Sequence, residues 1–183
     1  QEEDQIIESL TVLAKRYKVK AVKLGMHRDI DEVNFSVDLC RKLWPGVKIV
    51  WDPVMGSSTG FDFKLKIEKK LFEKILNKIT LITPNLPELE KLRIQSGGAL
   101  SDRCAYLVKG GHAAGKFSED ILFEKGKVVQ FYTARRIESG EKHGSGCVLS
   151  SAITAELAKG LSIYYNVFFQ GCKSFIFTND KSF

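Results

Sequence analysis

One stretch of the chain decides how the rest is interpreted, and it runs Glu141-Lys142-His143-Gly144-Ser145-Gly146-Cys147-Val148-Leu149-Ser150-Ser151. Apolar residues at helical spacing follow the glycines and predict a helix that ends at Lys159-Gly160. A Gly-Ser-Gly turn that opens a helix points several free backbone N–H groups at one place, where the helix dipole adds partial positive charge. From the residues alone, the turn at Gly144, Ser145 and Gly146 is either an anion hole or an ordinary glycine loop that caps a helix.

Cys147 is the side chain that such a turn places in this field. The positive end of a helix favours the thiolate over the thiol, so Cys147 is a candidate for chemistry. The alternative is a cysteine that only packs at the start of the helix.

Helices and strands alternate upstream of this turn. Helical spacing predicts helices over about 2–17, 30–44 and 67–75, one that starts at Pro87, and a last one from Ile163 to about Phe175. Apolar runs predict strands at 20–24, 47–51, 81–83 and 105–108 and a hairpin of 121–123 with 128–132, while 93–104 has the composition of a loop. This alternation predicts a mostly parallel sheet wrapped by helices.

Polar or unusual residues follow each predicted strand. They are Met26, Asp52, Asn85 and the run Lys109-Gly110-Gly111-His112. Ligands of such sheets bind beyond the carboxyl ends of the strands, so these residues should converge on the Gly-Ser-Gly turn.

Each of these side chains has two interpretations. Lys109 suits the phosphates of a nucleotide, or it is a strand-end lysine that reaches solvent. Asn85 and Glu88 could contact a hydrated magnesium ion, or they cap a helix. Asp52 could act near a metal or a transferred phosphate, or Asp52-Pro53 only starts a turn.

Bulk composition excludes several classes of protein. The 183 residues are 44% hydrophobic and 27% charged, and no apolar run is long enough for a membrane span. The net charge of +6 comes from dispersed lysines, which favours small phosphorylated ligands over nucleic acid. The four cysteines are far apart, as expected for reduced thiols in a cytoplasmic protein.

Five motifs, in this order, resemble the hydroxymethylpyrimidine/phosphomethylpyrimidine kinases of thiamine biosynthesis, in the ribokinase-like superfamily. They are Leu24-Gly25-Met26, Asp52-Pro53-Val54-Met55, Thr83-Pro84-Asn85-Leu86-Pro87-Glu88, Val108-Lys109-Gly110-Gly111-His112 and His143-Gly144-Ser145-Gly146-Cys147. The similarity covers about residues 1–160. It implies an α/β fold of three layers with a mostly parallel central sheet, and ATP and Mg²⁺ as cofactors.

The resemblance also assigns expected roles. Asn85 and Glu88 would lie by the magnesium ion and the phosphates, and Lys109 would bind the phosphates of ATP. With Asp52 as the second candidate carboxylate, Glu88 and Asp52 are the expected metal ligands. The turn Gly144-Ser145-Gly146 would be the anion hole. Cys147 would occupy the position where most of the superfamily carries an aspartate base. The acceptor pocket would be lined by Met26 and Val54.

The activity that the resemblance implies is ATP-dependent phosphorylation of 4-amino-5-hydroxymethyl-2-methylpyrimidine, its monophosphate, or both. The alternatives are a pyridoxal kinase of the same branch and a non-catalytic ligand-binding or regulatory module with this fold. Expected partners are small molecules and a second copy of the chain in a homodimer, with no nucleic acid and no membrane.

Two features depart from the family pattern. Members begin with a βαβ segment that carries a Gly-Gly substrate loop, and no such segment occurs in 1–183. The connection from Glu88 to Lys109 is also about one helix shorter than usual. We therefore expect a single ribokinase-like kinase domain over 1–183 that lacks its N-terminal βαβ substrate-loop segment.

Overall fold

The fold is that of a computed structural model, which describes residues 2–55, 67–98, 100, 103–110, 116–135 and 144–164. Its elements, in chain order, are α1 (Glu2–Arg16), β1 (Ala21–Leu24), α2 (Ile30–Leu43), β2 (Lys48–Trp51), α3 (Lys69–Leu76), β3 (Leu81–Ile82), α4 (Leu86–Ser96), β4 (Ala105–Val108), β5 (Phe117–Glu124), β6 (Lys127–Arg135) and α5 (Ser145–Ala158).

The strands form one mixed sheet in the order β1-β2-β3-β4-β5-β6. The first four strands are parallel, and β5 and β6 add an antiparallel hairpin beside β4. Because helices separate the parallel strands, the carboxyl ends of β1 to β4 meet at one edge of the sheet. Asp52, Asn85 and Lys109, which follow β2, β3 and β4, therefore come together, as the sequence predicted.

Apolar side chains cover both faces of the sheet. On one face, residues of α2, α3 and α4 pack with Trp51, whose ring meets that of Phe72 edge-on at 6.1 Å between centroids. On the other face, Leu149, Ile153 and Leu157 of α5 pack on Val50 and neighbouring strand residues. The sheet therefore lies between two helical layers, and α5 is anchored by the apolar stripe that the sequence predicted.

Local signals set the helix boundaries. The side chain of Asp29 accepts a hydrogen bond from the N–H of Glu32 and caps α2. Helix α4 ends at Gly97, whose φ of 60° is the left-handed conformation that glycine adopts readily. The prediction that 93–104 is a loop was wrong at its start, because α4 continues to Ser96 and buries that residue.

Other boundaries differ by smaller amounts. Helix α3 begins at Lys69, so Ile67 precedes it, and the strands of the hairpin are longer than the apolar runs suggested. The expected helix up to Phe175 lies outside the described residues beyond Tyr164, as do Gly111, His112 and His143.

Candidate active site

A buried carboxylate lies at the centre of the strand-end edge. Asp52 directly follows β2 and is 1% exposed. Its Oδ1 accepts a hydrogen bond from Nζ of Lys109, at 2.7 Å, and one from Oγ1 of Thr83, at 3.2 Å. Lys109 follows β4 and Thr83 follows β3, so three neighbouring strands supply one hydrogen-bonded cluster.

The second oxygen of Asp52 faces the other elements of the site. Oγ of Ser150, on α5, donates to Oδ2 at 3.1 Å. Nζ of Lys23, on β1, lies 3.9 Å from the same oxygen. We call these five residues (Asp52, Lys23, Thr83, Lys109 and Ser150) the Asp52 cluster. The cluster connects the carboxyl ends of the four parallel strands, β1, β2, β3 and β4, with helix α5.

The first turn of α5 lies against this cluster. Gly144 is its N-cap, with φ of 84°, and no side chain hydrogen-bonds to the cap. A Cβ atom placed on Gly146 would lie 3.1 Å from Nζ of Lys109, so the ammonium group lies directly beside the helix start. The backbone N–H groups of the first turn, the helix dipole and a lysine therefore act at one place, which favours an anion.

Gly110 fixes the position of Lys109. A Cβ atom on Gly110 would fall 1.7 Å from the carbonyl oxygen of Glu119 on β5, so only glycine fits this close approach. The N–H of Gly110 donates to Oδ1 of buried Asp120 at 2.8 Å, and the N–H of Lys109 donates to the carbonyl oxygen of Pro84 at 2.9 Å. The backbone of Lys109 is therefore held on both sides.

Asn85 and Glu88 form a reciprocal cap at the start of α4. Oδ1 of Asn85 accepts from the N–H of Glu88, and Oε2 of Glu88 accepts from the N–H of Asn85, both at 2.8 Å. Burial raises the pKa of Glu88, against the opposing effects of nearby Lys109 and of hydrogen bonds from the backbone of Asn85 and Met55. Capping, one of the two interpretations of this pair, is therefore present, and it does not use all the lone pairs of the Glu88 carboxylate.

The described residues contain no group of three His, Cys, Asp or Glu side chains that could hold a metal ion. Asp52 fits a metal poorly, because both of its oxygens already accept hydrogen bonds from protein groups. Asp52 is also paired with the ammonium group of Lys109, whereas the described hydrogen bonds to Glu88 come from the backbone of Asn85 and Met55. Glu88 therefore fits better, since Mg²⁺ is commonly held by one or two carboxylates together with water and phosphate oxygens.

The remaining expected site residues lie along the same edge. Cys147 is a free, exposed cysteine in the first turn of α5. Its carbonyl oxygen lies 3.1 Å from Oγ of Ser150 and so shares the single hydroxyl proton of Ser150 with Oδ2 of Asp52. Met26, which follows β1, is 60% exposed. Val54 is half-buried, and its N–H donates to the carbonyl oxygen of Asp52 at 2.9 Å.

Three members of the Asp52 cluster were not singled out from the sequence as candidates. Lys23 lies within a short apolar strand, where a lysine is itself an unusual signal. Thr83 is the first residue of the motif Thr83-Pro84-Asn85-Leu86-Pro87-Glu88, but the sequence predicted no functional role for it. Ser150 lies one helical turn after Gly146, and its link to Asp52 spans 98 positions of the chain.

A separate cavity of about 600 Å³ lies at the opposite ends of β1 and β2. It is lined by the ends of α1, α2 and α5 and by basic residues, which are Lys15, Arg16, Lys18, Lys20 and Lys48. Cations are favourable beside the carbonyl ends of helices, so the charge of this cavity has a structural explanation.

The mixed sheet with helices on both faces, and the turn Gly144-Ser145-Gly146 at the start of α5, match the ribokinase-like fold. The chain superposes on *Staphylococcus aureus* pyridoxal kinase in complex with AMP-PCP and pyridoxal with a TM-score of 0.67 at 24% identity, over 92% of this chain and 63% of that one. It superposes on phosphomethylpyrimidine kinase from *Clostridium difficile* 630 with a TM-score of 0.64 at 28% identity, over 95% and 74%.

The chain belongs to the phosphomethylpyrimidine kinase family, whose model matches residues 1–176. It is 35% identical over 160 residues to a hydroxymethylpyrimidine/phosphomethylpyrimidine kinase of *Rhizobium meliloti*, covering 79% of this chain and 59% of that protein. It is 34% identical over 170 residues to the *Aquifex aeolicus* protein of the same name, covering 83% and 64%. The chain thus spans about six tenths of the length of these relatives. In the described residues no helix is long and apolar enough to cross a membrane.

Proposed function

We propose that the protein transfers the γ-phosphoryl group of ATP to the hydroxymethyl group of 4-amino-5-hydroxymethyl-2-methylpyrimidine, to its monophosphate, or to both in turn. One observation carries the proposal: the ammonium group of Lys109 lies against Gly146 in the first turn of α5, fixed there by buried Asp52. Membership of the phosphomethylpyrimidine kinase family supports the choice of acceptor.

Phosphoryl transfer asks a protein mainly for positioning and for stabilisation of negative charge. The turn Gly144-Ser145-Gly146 supplies backbone N–H donors, and Lys109 supplies a full positive charge beside them. Asp52 acts as the positioning residue, because its hydrogen bond holds the ammonium group toward the turn. This differs from the expected role of Asp52 beside the metal, and the contacts of both its oxygens support the change.

The nucleotide and the metal are parts of the same proposal. The *S. aureus* pyridoxal kinase with this fold was solved with AMP-PCP, an analogue of ATP, which supports ATP as the donor here. Glu88, with Asn85 beside it, would hold a hydrated Mg²⁺ ion at the start of α4. Bound there, the ion would neutralise part of the charge on the phosphates.

Cys147 is proposed to guide or take the proton of the acceptor hydroxyl group, since it is exposed in the first turn of α5. Met26 and Val54 are proposed to line the pyrimidine pocket beside it. Cys147→Ala should then lower kcat by the share of a general base, which is typically about 10²–10⁴-fold, and leave the KM for ATP nearly unchanged. A rate within a few-fold of wild type from pH 6 to 9 would assign Cys147 to packing alone.

The test of Lys109 is the substitution Lys109→Met, compared with Lys109→Arg. Charged hydrogen bonds contribute roughly 1.5–3 kcal/mol, so we expect kcat/KM for ATP to fall about 10- to 100-fold in Lys109→Met. Lys109→Arg should retain more activity, because it keeps the charge. An unchanged kcat/KM in folded Lys109→Met would refute the role of this residue.

A pyridoxal kinase of the same branch is the second candidate, and the likeness to the *S. aureus* enzyme favours it. At 24% identity, however, that similarity supports only the fold, so we retain the pyrimidine as the first candidate for the acceptor. A non-catalytic module would bind ligand without turnover. ADP release measured with the pyrimidine, with pyridoxal and without acceptor separates the three.

A cytoplasmic location and a homodimer complete the proposal, and size-exclusion chromatography with light scattering tests the dimer.

A further inference from the structure

We propose that Lys23 is a second phosphate-binding residue of this site, and that it binds the phosphate monoester carried by the acceptor. The inference rests on the proposed function and deepens it, because it names the group that allows a phosphorylated pyrimidine to be used as substrate.

The two lysines of the Asp52 cluster differ in how firmly the protein already holds them. Nζ of Lys109 donates to Asp52 at 2.7 Å, and the Lys109 side chain is 9% exposed. Nζ of Lys23 lies 3.9 Å from Asp52, and its side chain is 21% exposed. At 3.9 Å the two charges attract each other, but they are too far apart for a hydrogen bond. In the part of the chain that the structure describes, no hydrogen bond uses the N–H donors of Lys23, which leaves them to a ligand.

The carboxylate of Asp52 has hydrogen-bond donors other than Lys23. One of its oxygens already accepts from Lys109 and Thr83, and the other accepts from Ser150. The carboxylate carries one negative charge, whereas the two lysines carry two positive charges. A second carboxylate, that of Glu88, acts on Lys109. Among the described residues of the cluster, Lys23 is therefore the ammonium group whose charge is least compensated, and a ligand anion would balance it.

The location of Lys23 assigns it to the acceptor. It lies on β1, while Lys109 follows β4, so the two ammonium groups approach Asp52 from opposite sides in the strand order. A Cβ atom on Gly25 would lie 3.0 Å from Nζ of Lys23. Gly25 immediately precedes Met26, which we place at the pyrimidine pocket. A phosphate monoester is a compact dianion, and a lysine ammonium group is a suitable point charge for it.

The test compares two acceptors that differ only in the phosphate. Kinetics are measured for wild type, Lys23→Met, Lys23→Arg and the control Lys48→Met, with the hydroxymethylpyrimidine and with its monophosphate. Lys48 is an exposed lysine at the opposite end of neighbouring β2 and belongs to no part of the site. Unfolding midpoints are recorded for every variant, which separates loss of fold from loss of binding.

For Lys23→Met we expect the KM for the monophosphate to rise about 10- to 100-fold, as for the loss of a charged hydrogen bond. The KM for the unphosphorylated pyrimidine should change less than about threefold, Lys23→Arg should recover most of the affinity, and Lys48→Met should match wild type. An equal loss with both acceptors, or no loss with either, would overturn the proposal.

The failure of the proposed function would look different. In that case wild type would turn over neither pyrimidine. Calorimetric titration of the two pyrimidines into wild type and Lys23→Met would then decide on Lys23 directly. Selective loss of binding of the monophosphate would support the inference, and equal affinities in the two proteins would refute it.

Discussion

The buried ion pair of Asp52 and Lys109 yields a sharp prediction about stability. Asp52 is 1% exposed and Lys109 is 7% exposed, and their charged atoms are 2.7 Å apart. Asp52→Asn leaves Lys109 without its hydrogen-bonded counter-charge. Lys109→Met leaves Asp52, among the described residues, with the more distant Lys23 as its counter-charge. Removing one partner of a buried pair typically costs about 3–5 kcal/mol in the free energy of unfolding.

The double substitution removes both charges and should cost much less than the sum of the single substitutions. We expect each single variant to lose about 3 kcal/mol, near the lower end of that range because Thr83, Ser150 and Lys23 remain around the cluster. The coupling energy between Asp52→Asn and Lys109→Met should be about 1–3 kcal/mol, which is typical of residues in direct contact. Urea denaturation of the wild type, the two single variants and the double variant measures it.

The pair of Asp52 and Lys23 is the internal control for this cycle. Its atoms are 3.9 Å apart and the Lys23 side chain is 21% exposed, so its coupling should stay below about 1 kcal/mol. If Asp52→Asn and Lys109→Met are additive within about 0.5 kcal/mol, the ion pair does not organise the site, and our account of Asp52 as a positioning residue is wrong.

Three further predictions follow from the glycines and cysteines. Gly144 and Gly160 have left-handed backbone conformations, with φ of 84° and 92° and open space around both, so Gly144→Ala and Gly160→Ala should each lower the free energy of unfolding in urea by roughly 1–2 kcal/mol. Only Gly144→Ala should also raise the KM for ATP. Equal KM values for the two variants would show that the turn is not part of the nucleotide site. Gly110→Ala should destabilise the fold by about 3 kcal/mol or more, because its Cβ would overlap the backbone of β5, and a normal unfolding midpoint would contradict that contact. Iodoacetamide at pH 8 should modify exposed Cys147 well before buried Cys104, whose pKa burial raises to about 12, and peptide mass spectrometry showing the reverse order would contradict the burial of Cys104.

Much of the fold was predictable from local patterns. Alternating apolar stripes and short apolar runs gave the parallel part of the sheet, and the stripe through Leu149 and Ile153 correctly placed α5 on it. The end of α4 was missed because its last turn, up to Ser96, has no apolar period, and only the left-handed Gly97 marks where the helix stops.

Those residues of the candidate site that carry a signal in the local sequence could be predicted. The turn at Gly144 to Gly146 and Lys109 after a buried strand each carry a local signal, and the structure brings them together. The contacts of Asp52 carry no such signal, because they join residues from five separate elements or strand ends. Whether an aspartate meets a metal or a lysine depends on the packing of the sheet edge, and spacing along the chain does not encode it.

The most direct test of the account is ADP release with ATP and Mg²⁺ as a function of the acceptor. We expect turnover with the hydroxymethylpyrimidine or its monophosphate, little without acceptor, and a fall of about 10- to 100-fold in kcat/KM for ATP in Lys109→Met. ADP release that is independent of both pyrimidines, or that occurs only with pyridoxal, would contradict the assignment. So would wild-type turnover by folded Lys109→Met.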